Sequence, residues 1–322
     1  MKNFLSVNDV DDVEALAQKA IALKSSPFDF KKMGENKTMV LIFLNASLRT
    51  RLSTQKAAQN LGMNTIVLNL GQDSWNMEYE DGAVMNGDKA EHIREGAAVI
   101  SQYADIIGIR AFPSLTDREK DYSEYILHKF LENVTVPIVN MESATVHPLQ
   151  SLTDLMTIRE FSNKPKPKVV LTWAPHVKAL PQCVANSFAE WMNKAAVEFV
   201  ITHPEGYELK ETFSRNAPLL YNQEEAFKDA DFIYAKNWSS YKDYGKIIGQ
   251  QDDWMITQKK LKVTNNAFFM HCLPTRRNVE ISDDILDSSG SIVIQQAANR
   301  EYAAQAVLKE LLHFLSISDR NR

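Results

Sequence analysis

Residues 39–62 have the sequence MVLIFLNASLRTRLSTQKAAQNLG, and this stretch decides the fold. Residues 39–44 form an uninterrupted apolar run of strand length, and residues 50–61 have a helical pattern that ends at Gly62. A short apolar run followed by a helical pattern is typical of a βα unit in a parallel sheet. Two arginines and several hydroxyl groups stand near the strand end, where open α/β sheets bind ligands.

The same alternation continues along the chain. Further predicted strands span residues 65–70, 105–110, 136–140, 168–173, 198–203, 231–237, 268–273 and 291–294. Further predicted helices span residues 89–103, 121–132, 148–161, 184–192 and about 297–316. These series predict an α/β fold with two parallel-sheet domains, residues 1–147 and 148–322, joined by an interdomain helix from Pro148. The C-terminal helix over about 297–316 is expected to pack back on the first domain.

Composition narrows the function classes. The chain has 322 residues, of which 44% are hydrophobic and 24% charged, and its net charge is −5. These values fit a globular protein of two domains that binds neither nucleic acid nor membrane. The two cysteines do not form a CxxC pair, and the N-terminus has no long apolar run, so we expect a reduced, cytoplasmic chain. The seven histidines show no HExxH or His-x-His spacing, and we expect no metal site.

Polar side chains follow several predicted strands. Ser47–Arg51 would begin a helix, where free backbone N–H groups, hydroxyls and guanidinium groups can bind an oxyanion. The alternative is that Ser47 only caps the helix and the arginines are solvated. Arg110 ends another strand, and the alternative to a functional role for this arginine is a salt bridge to a nearby carboxylate. His271 and Cys272 fit core positions equally well, and nothing indicates the low-pKa thiolate that a Cys–His nucleophile needs.

Four motifs occur in one order: Ser-x-Arg-Thr-Arg, then Arg110, then His-Pro-x-Gln, then His-Cys-Leu-Pro-x-Arg-Arg. Together they resemble the aspartate/ornithine carbamoyltransferase family over essentially the whole chain. The resemblance implies a first domain for carbamoyl phosphate, a second for an amino acid, no cofactor, and a homotrimer with shared active sites. Resemblance to the N-acylornithine branch of the family, described below, also implies a knot in the second domain, with the loop around residues 179–186 threading another near residues 238–245.

The resemblance also implies roles for individual residues. The carbamoyl phosphate site is expected to contain Ser47, Leu48, Arg49, Thr50, Trp75, Arg110, His147, Gln150, Cys272, Leu273 and Arg300. The residues expected to take part in catalysis are Thr50, Arg110, His147 and Cys272. The reaction is attack of an amine on the carbamoyl carbon, with electrostatic stabilisation of the tetrahedral oxyanion and loss of phosphate. Sequence leaves the proton acceptor open.

Departures from the family patterns concern the acceptor amine. The Ser-Met-Gly segment of ornithine enzymes and the Arg-x-Gln of aspartate enzymes are absent. Residues 172–191, TWAPHVKALPQCVANSFAEW, and residues 201–209, ITHPEGYEL, resemble the branch that acts on N-acylated ornithines. The expected acylornithine site contains Glu142, His176, Lys236, Arg276 and Ala90.

Two positions favour the succinyl acceptor. The acetyl branch has a glutamate where this chain has Ala90, and a lysine where it has Glu280. We therefore predict carbamoylation of N-succinyl-L-ornithine in arginine biosynthesis. N-acetyl-L-ornithine is the alternative acceptor, followed by L-ornithine and by a non-catalytic ligand-binding role. Lys178, Arg277 and backbone N–H groups remain alternatives for contacting the distal succinyl carboxylate.

Overall fold

The computed structural model describes residues 1–249 and 251–320. In chain order, its helices and strands are α1 (Val13–Ser25), β1 (Thr38–Phe43), α2 (Arg49–Asn60), β2 (Asn64–Asn69), β3 (Met77–Glu78), β4 (Glu91–His92), α3 (Ile93–Tyr103), β5 (Ile106–Arg110), α4 (Arg118–Tyr122), α5 (Tyr125–Asn133), β6 (Ile138–Glu142), α6 (Pro148–Phe161), β7 (Lys168–Trp173), α7 (Cys183–Met192), β8 (Glu198–Thr202), α8 (Glu211–Ser214), β9 (Leu219–Leu220), α9 (Gln223–Phe227), β10 (Phe232–Lys236), α10 (Gln258–Leu261), β11 (Phe268–Met270), α11 (Asp283–Leu286) and α12 (Val293–Arg320). Short 3₁₀ helices span Val7–Asp9, Lys31–Gly34 and Asp252–Trp254.

Two parallel sheets confirm the predicted two-domain α/β architecture. The first has strand order β2-β1-β5-β6, and the second has strand order β11-β10-β7-β8-β9. In each sheet the order reverses once, between β1 and β5 and between β7 and β10, which are the positions where such sheets bind ligands. The segments after β1, β5 and β6 therefore meet at one edge, as do those after β7, β10 and β11. The small pair β3-β4 lies in the excursion between β2 and α3.

The two helices predicted to join the domains do so. α6 begins at Pro148 as predicted, and its residues 148–158 are all buried because it contacts α1, α7 and α12. α12 packs back on the first domain through α1 and α2. One apolar cluster consequently runs from α1 and β1 through α6 to β7, α7 and α12. Among the described residues, no helix is long and apolar enough to cross a membrane.

Several predicted elements were wrong in detail, among them the helix 89–103, which begins at Ile93 after β4. The predicted strand 291–294 is a single bridge from Ser291 to Phe269, after which α12 begins at Val293. Short apolar runs suit either structure, and Ile294 is 68% exposed, which does not fit a buried strand. The C-terminal helix therefore spans 293–320 instead of 297–316, since no Gly or Pro interrupts that stretch. The predicted helix 121–132 divides into α4 and α5 because Glu124 adopts a left-handed conformation, φ 54° and ψ 37°.

Candidate active site

The turn after β1 forms the start of α2. The N-cap of α2 is Leu48, and no side chain caps the helix, so Ser47 does not have the capping role considered above. The guanidinium of Arg49 makes no hydrogen bond or salt bridge to another described residue, and burial lowers the pKa of Arg49. The helix N-terminus, the Ser47 hydroxyl and Arg49 thus present donors and positive charge to the cavity described below.

Arg110 combines a structural and a chemical position. Its Nε donates to Glu142 Oε2 at 3.1 Å, so the expected salt bridge exists and both partners are buried. Its Nη1 donates to the carbonyl oxygens of Asn45 and Ala46 at 2.9 and 2.7 Å, which holds the turn after β1. The guanidinium also lies 4.1 Å from the ring centre of Phe112. Nη2 has no hydrogen-bond partner among the described residues and remains available to a ligand.

His147 is a buried, neutral imidazole at the start of α6. Burial, assisted by the positive charges of Arg300 and Arg110, holds the pKa of His147 well below its usual value. Its Nε2 lies 3.6 Å from Glu142 Oε2, and its buried Nδ1 has no partner among the described residues. His147 also lines the cavity described below, where a neutral imidazole can donate or accept a hydrogen bond.

Arg300 reaches from α12 to both neighbouring helices. Its Nη2 donates to Thr50 Oγ1 of α2 at 2.7 Å, and its Nη1 donates to Gln150 Oε1 of α6. Burial lowers the pKa of Arg300, although an arginine stays charged at any ordinary pH. The C-terminal helix thereby contributes a cation to the edge of the first sheet.

The second domain supplies the opposite wall. Lys236, at the end of β10, is buried, and its ammonium group makes no hydrogen bond or salt bridge to another described residue. Cys272 and Leu273 follow β11, and Leu273 N donates to His271 Nδ1 at 2.8 Å. Burial raises the pKa of the Cys272 thiol, which argues against the nucleophile that the sequence had already disfavoured.

A cavity of about 750 Å³ lies between the two domains. Thirteen of the sixteen residues predicted for the site line it: Ser47, Leu48, Arg49, Thr50, Arg110, Glu142, His147, Gln150, His176, Lys236, Cys272, Leu273 and Arg300. Its lining includes four Arg or Lys side chains and one carboxylate, Glu142. The excess of positive charge suits two anionic ligands or one ligand with several negative charges.

Three predicted residues do not line this cavity. Arg276 borders it, because its Nε donates to His176 Nε2 at 3.1 Å. Trp75 and Ala90 lie in the excursion between β2 and α3, where both are exposed and the Trp75 indole donates to Glu91 at 2.8 Å. The chain does not bring these two residues to its own cavity.

Several lining residues were not identified from sequence. They are Ala46, Phe112, Leu180, Pro181, Cys183, Val184 and Pro274. Most are apolar, and an apolar residue that lines a cavity has no sequence pattern to separate it from a core residue. Cys183 Sγ donates to Glu142 Oε1 at 3.3 Å, a contact that joins α7 to the carboxyl end of β6.

Glu280 supports the segment that carries Arg276. It is 1% exposed, accepts from Arg276 N at 2.6 Å and from Thr275 Oγ1 at 3.0 Å, and lies 3.7 Å from His271 Nε2. Burial raises the pKa of Glu280, but His271, Lys236 and the Arg276 N–H outweigh it and hold the pKa at about 2. Arg277, by contrast, forms salt bridges with Asp283 and Asp287 at 2.9 and 2.7 Å.

Two profiles of one protein family match the chain. The profile described as "Aspartate/ornithine carbamoyltransferase, carbamoyl-P binding domain" matches residues 2–160, and that described as "Asp/Orn binding domain" of the same family matches residues 181–311. The chain belongs to the aspartate/ornithine carbamoyltransferase family. The resemblance recognised in the four motifs is thus confirmed, and the catalytic class of the family is carbamoyl transfer. No group of three or more His, Cys, Asp or Glu side chains suited to a metal ion occurs among residues 1–249 and 251–320.

Individual relatives refine the position within the family. The chain is 52% identical to N-succinylornithine carbamoyltransferase of Bacteroides fragilis, over 98% of this chain and 100% of the relative. It is 33% identical to N-acetylornithine carbamoyltransferase of Xanthomonas campestris, over 97% of this chain and 98% of the relative. A crystal structure of an N-acetyl-L-ornithine transcarbamylase with a glutamate-to-alanine change, complexed with carbamyl phosphate and N-succinyl-L-norvaline, has a TM-score of 0.91 and 33% identity, and covers 97% of this chain and 100% of that chain.

Proposed function

We propose that this enzyme transfers the carbamoyl group of carbamoyl phosphate to the side-chain amine of N-succinyl-L-ornithine. The products are N-succinyl-L-citrulline and phosphate, in a step of arginine biosynthesis. The observation that carries the proposal is the cavity, in which the strand ends of both sheets, α6 and α12 bring thirteen of the predicted residues together. The 52% identity with an N-succinylornithine carbamoyltransferase supports the acceptor.

The phosphate would bind at the start of α2. Ser47, the Leu48 N–H, Arg49 and Thr50 would donate to its oxygens, because that turn presents uncapped donors. Arg300, held by Thr50 and Gln150, would supply a further positive charge from α12.

The carbamoyl group would lie between the domains. Its oxygen would accept from Thr50, Arg110 and His147, which would stabilise the tetrahedral oxyanion as it forms. The backbone carbonyls of Cys272 and Leu273 would orient its NH₂ group. The carbamoyl carbon would then face the acceptor, and much of the acceleration would come from holding the two reactants together.

The acceptor would occupy the part of the cavity nearer the second domain. Lys236 and Arg276 would bind its α-carboxylate, because Lys236 is a buried cation without a protein partner and Arg276 is aligned by His176. Glu142, the one carboxylate in the cavity lining described here, would face the attacking amine. An acylated α-nitrogen is uncharged and needs no second carboxylate.

Two positions bear on whether the acyl group of the acceptor is succinyl or acetyl. Ala90 would leave room for the longer acyl group and avoid a negative charge beside its carboxylate. Glu280 does not line the cavity, and its carboxylate is buried against His271 and Arg276 N, so it does not face the acyl group. Of the groups considered for the distal carboxylate, Arg277 is already paired with two aspartates, which favours Lys178 or backbone N–H groups.

The assembly and chain path are part of the proposal. We infer a cytoplasmic homotrimer in which Trp75 and Ala90 reach the cavity of a neighbouring copy, since each is exposed and lies outside its own. We also retain the domain division at residues 147 and 148 and the knot in the second domain. Hydrogen bonds from Ser239 N to Leu180 O and from Gln182 Nε2 to Ser239 O support the contact between the two knot loops.

A phosphate-release assay with a panel of amines tests the function. Carbamoyl phosphate is supplied with N-succinyl-L-ornithine, N-acetyl-L-ornithine or L-ornithine, and kcat/KM is compared. The highest value is expected for N-succinyl-L-ornithine. A higher kcat/KM for N-acetyl-L-ornithine would overturn the assignment of N-succinyl-L-ornithine as the acceptor. If no amine leads to phosphate release, the protein would be a non-catalytic member of the family.

A further inference from the structure

Asp154 lies at the centre of a buried polar chain that joins the two walls of the cavity. This carboxylate is fully buried on α6, one helical turn after Gln150, and does not itself line the cavity. Its Oδ1 accepts from Gln150 Nε2 at 2.7 Å and from Gln296 Nε2 at 2.6 Å. Burial raises the pKa of Asp154 to about 7, while the two glutamine amides oppose that shift.

The two glutamines connect Asp154 to the two opposite walls of the cavity. Gln150 Oε1 accepts from Arg300, which in turn donates to Thr50 Oγ1 of the first domain. Gln296 Oε1 accepts from His271 N at 3.0 Å, at the strand end that leads to Cys272 and Leu273. The chain therefore runs from α2 through α12 and α6 to the carboxyl end of β11.

The accepting oxygen of Asp154 fixes the orientation of both glutamine amides in this series of hydrogen bonds. A glutamine amide has one donating and one accepting end, and a buried acceptor left unpaired is costly. Because the Asp154 oxygen accepts, both amide nitrogens must point toward it, and both amide oxygens must point away. Gln150 lines the cavity, and its Oε1, which accepts from Arg300, has a second lone pair that complements an NH₂ group. Gln296 presents an acceptor that holds the His271 backbone.

We propose that Asp154 is a positioning residue that sets Gln150 as a hydrogen-bond acceptor for the carbamoyl NH₂ group and fixes the Cys272–Leu273 segment on the other side of it. The role deepens the proposed function and rests on it, because the ligand is carbamoyl phosphate. Asp154 touches neither substrate nor the reacting atoms. It acts through Gln150 and Gln296, and its carboxyl group also faces the Tyr234 hydroxyl.

The test compares two ligands that share a phosphate and differ in the carbamoyl group. Binding of carbamoyl phosphate and of inorganic phosphate is measured by calorimetry for the wild type, Asp154→Leu, Asp154→Asn and Thr157→Val. Thr157 is the matched control, because it accepts from Asn299 Nδ2 at 2.9 Å across the same helix pair and does not line the cavity. The value of kcat is measured in parallel.

Asp154→Leu is expected to weaken carbamoyl phosphate binding at least tenfold more than phosphate binding. Its kcat is expected to fall by about 100-fold, the effect of misplacing a positioning group by about 1 Å. Asp154→Asn keeps an accepting Oδ1 and is expected to restore both values to within a few-fold. Thr157→Val is expected to leave the ratio of the two affinities unchanged.

Equal losses for both ligands in Asp154→Leu would overturn the positioning role. If that variant does not fold, Gln296→Leu gives the comparison for the second branch, since it removes the link to His271 and leaves Gln150 in place. An unchanged ratio of the carbamoyl phosphate and phosphate affinities in Gln296→Leu would then overturn the positioning role. A wild type that binds phosphate but not carbamoyl phosphate would instead refute the proposed function, so the two failures are distinguishable.

Discussion

At the scale of single residues, the proposal that phosphate binds at the start of α2 depends on the side chain of Arg49. It faces the cavity without a protein partner, whereas Arg110 and Arg300 already make hydrogen bonds that hold the site together. A ligand anion can therefore use the whole hydrogen-bonding capacity of the Arg49 guanidinium. Its removal changes the charge of the site and breaks no hydrogen bond or salt bridge to another described residue.

Arg49→Ala is predicted to weaken carbamoyl phosphate binding. A charge-assisted hydrogen bond contributes about 1.5–3 kcal/mol, so kcat/KM should fall roughly 10- to 100-fold. Arg51→Ala is the control, because Arg51 is an exposed arginine on the same helix that does not line the cavity. Steady-state kinetics of both variants decides, and near-normal kcat/KM for Arg49→Ala would remove the phosphate from this turn.

Ala90→Glu is predicted to reverse the acyl preference. If Ala90 borders the acyl group in the assembled enzyme, the new carboxylate repels the succinyl carboxylate. Two like charges at about 4 Å cost roughly 4 kcal/mol at an effective dielectric of 20, and tenfold discrimination needs only about 1.4 kcal/mol. The measurement is kcat/KM for both acylornithines, with Ala90→Gln as a control of equal size without the charge. An unchanged preference in Ala90→Glu would put this residue outside the pocket.

At the scale of elements, the two domains are held together beside the cavity by a contact between α4 and the loop after β10. Arg118 Nη1 donates to Tyr241 O at 3.1 Å, and Tyr244 Oη donates to Asp121 at 2.8 Å. Gly245, at φ +72°, lies so close to the first domain that an added Cβ would be 2.1 Å from Leu115 O. The closeness of these two backbones requires a glycine.

Gly245→Ala is predicted to destabilise this contact. Positive φ alone costs a non-glycine residue about 1–2 kcal/mol, and displacing the packed carbonyl adds about 1–3 kcal/mol. Gly249→Ala is the matched control, because Gly249 has φ +65° and its nearest neighbour, Gln251 Nε2, would be 3.7 Å from the new Cβ. Urea unfolding should show a larger loss of unfolding free energy for Gly245→Ala. Equal losses would mean that the domains accommodate the methyl group by moving apart.

Elements of the sheets and α6 were predictable because their apolar runs and their opening residues are local signals. The break at Glu124 was not, since its carboxylate accepts from the backbone N–H groups of Ala144 and Thr145, a tertiary contact that sequence does not display. The polar residues of the cavity were predictable because they follow strands and match motifs. Asp154 and Gln296 were missed because a buried polar network depends on which helices pack together.

At the scale of the whole molecule, the cavity is assembled from both ends of the chain. The turn proposed to bind the phosphate follows β1 near the start of the chain, and Arg300 reaches it from the last helix. The excursion between β2 and α3 does not line this cavity, and Trp75 and Val84 in it are 56% and 81% exposed. Large exposed apolar side chains of this kind commonly mark an interface. The proposed trimer gives them a position at the site of a neighbouring copy.

Mixing two impaired variants is predicted to restore activity if the site is shared. In a closed ring, each site would combine Arg49 of one copy with Trp75 of the next, so about one quarter of the sites become intact when Arg49→Ala and Trp75→Ala subunits assort randomly. The control mixture is Arg49→Ala with Arg110→Ala. Both of those residues line the cavity of the same chain, so no mixed site can be intact. Activity is measured after subunit exchange has been verified by mass spectrometry. Recovery in the first mixture alone would demonstrate the shared site, and no recovery there would confine the site to a single chain.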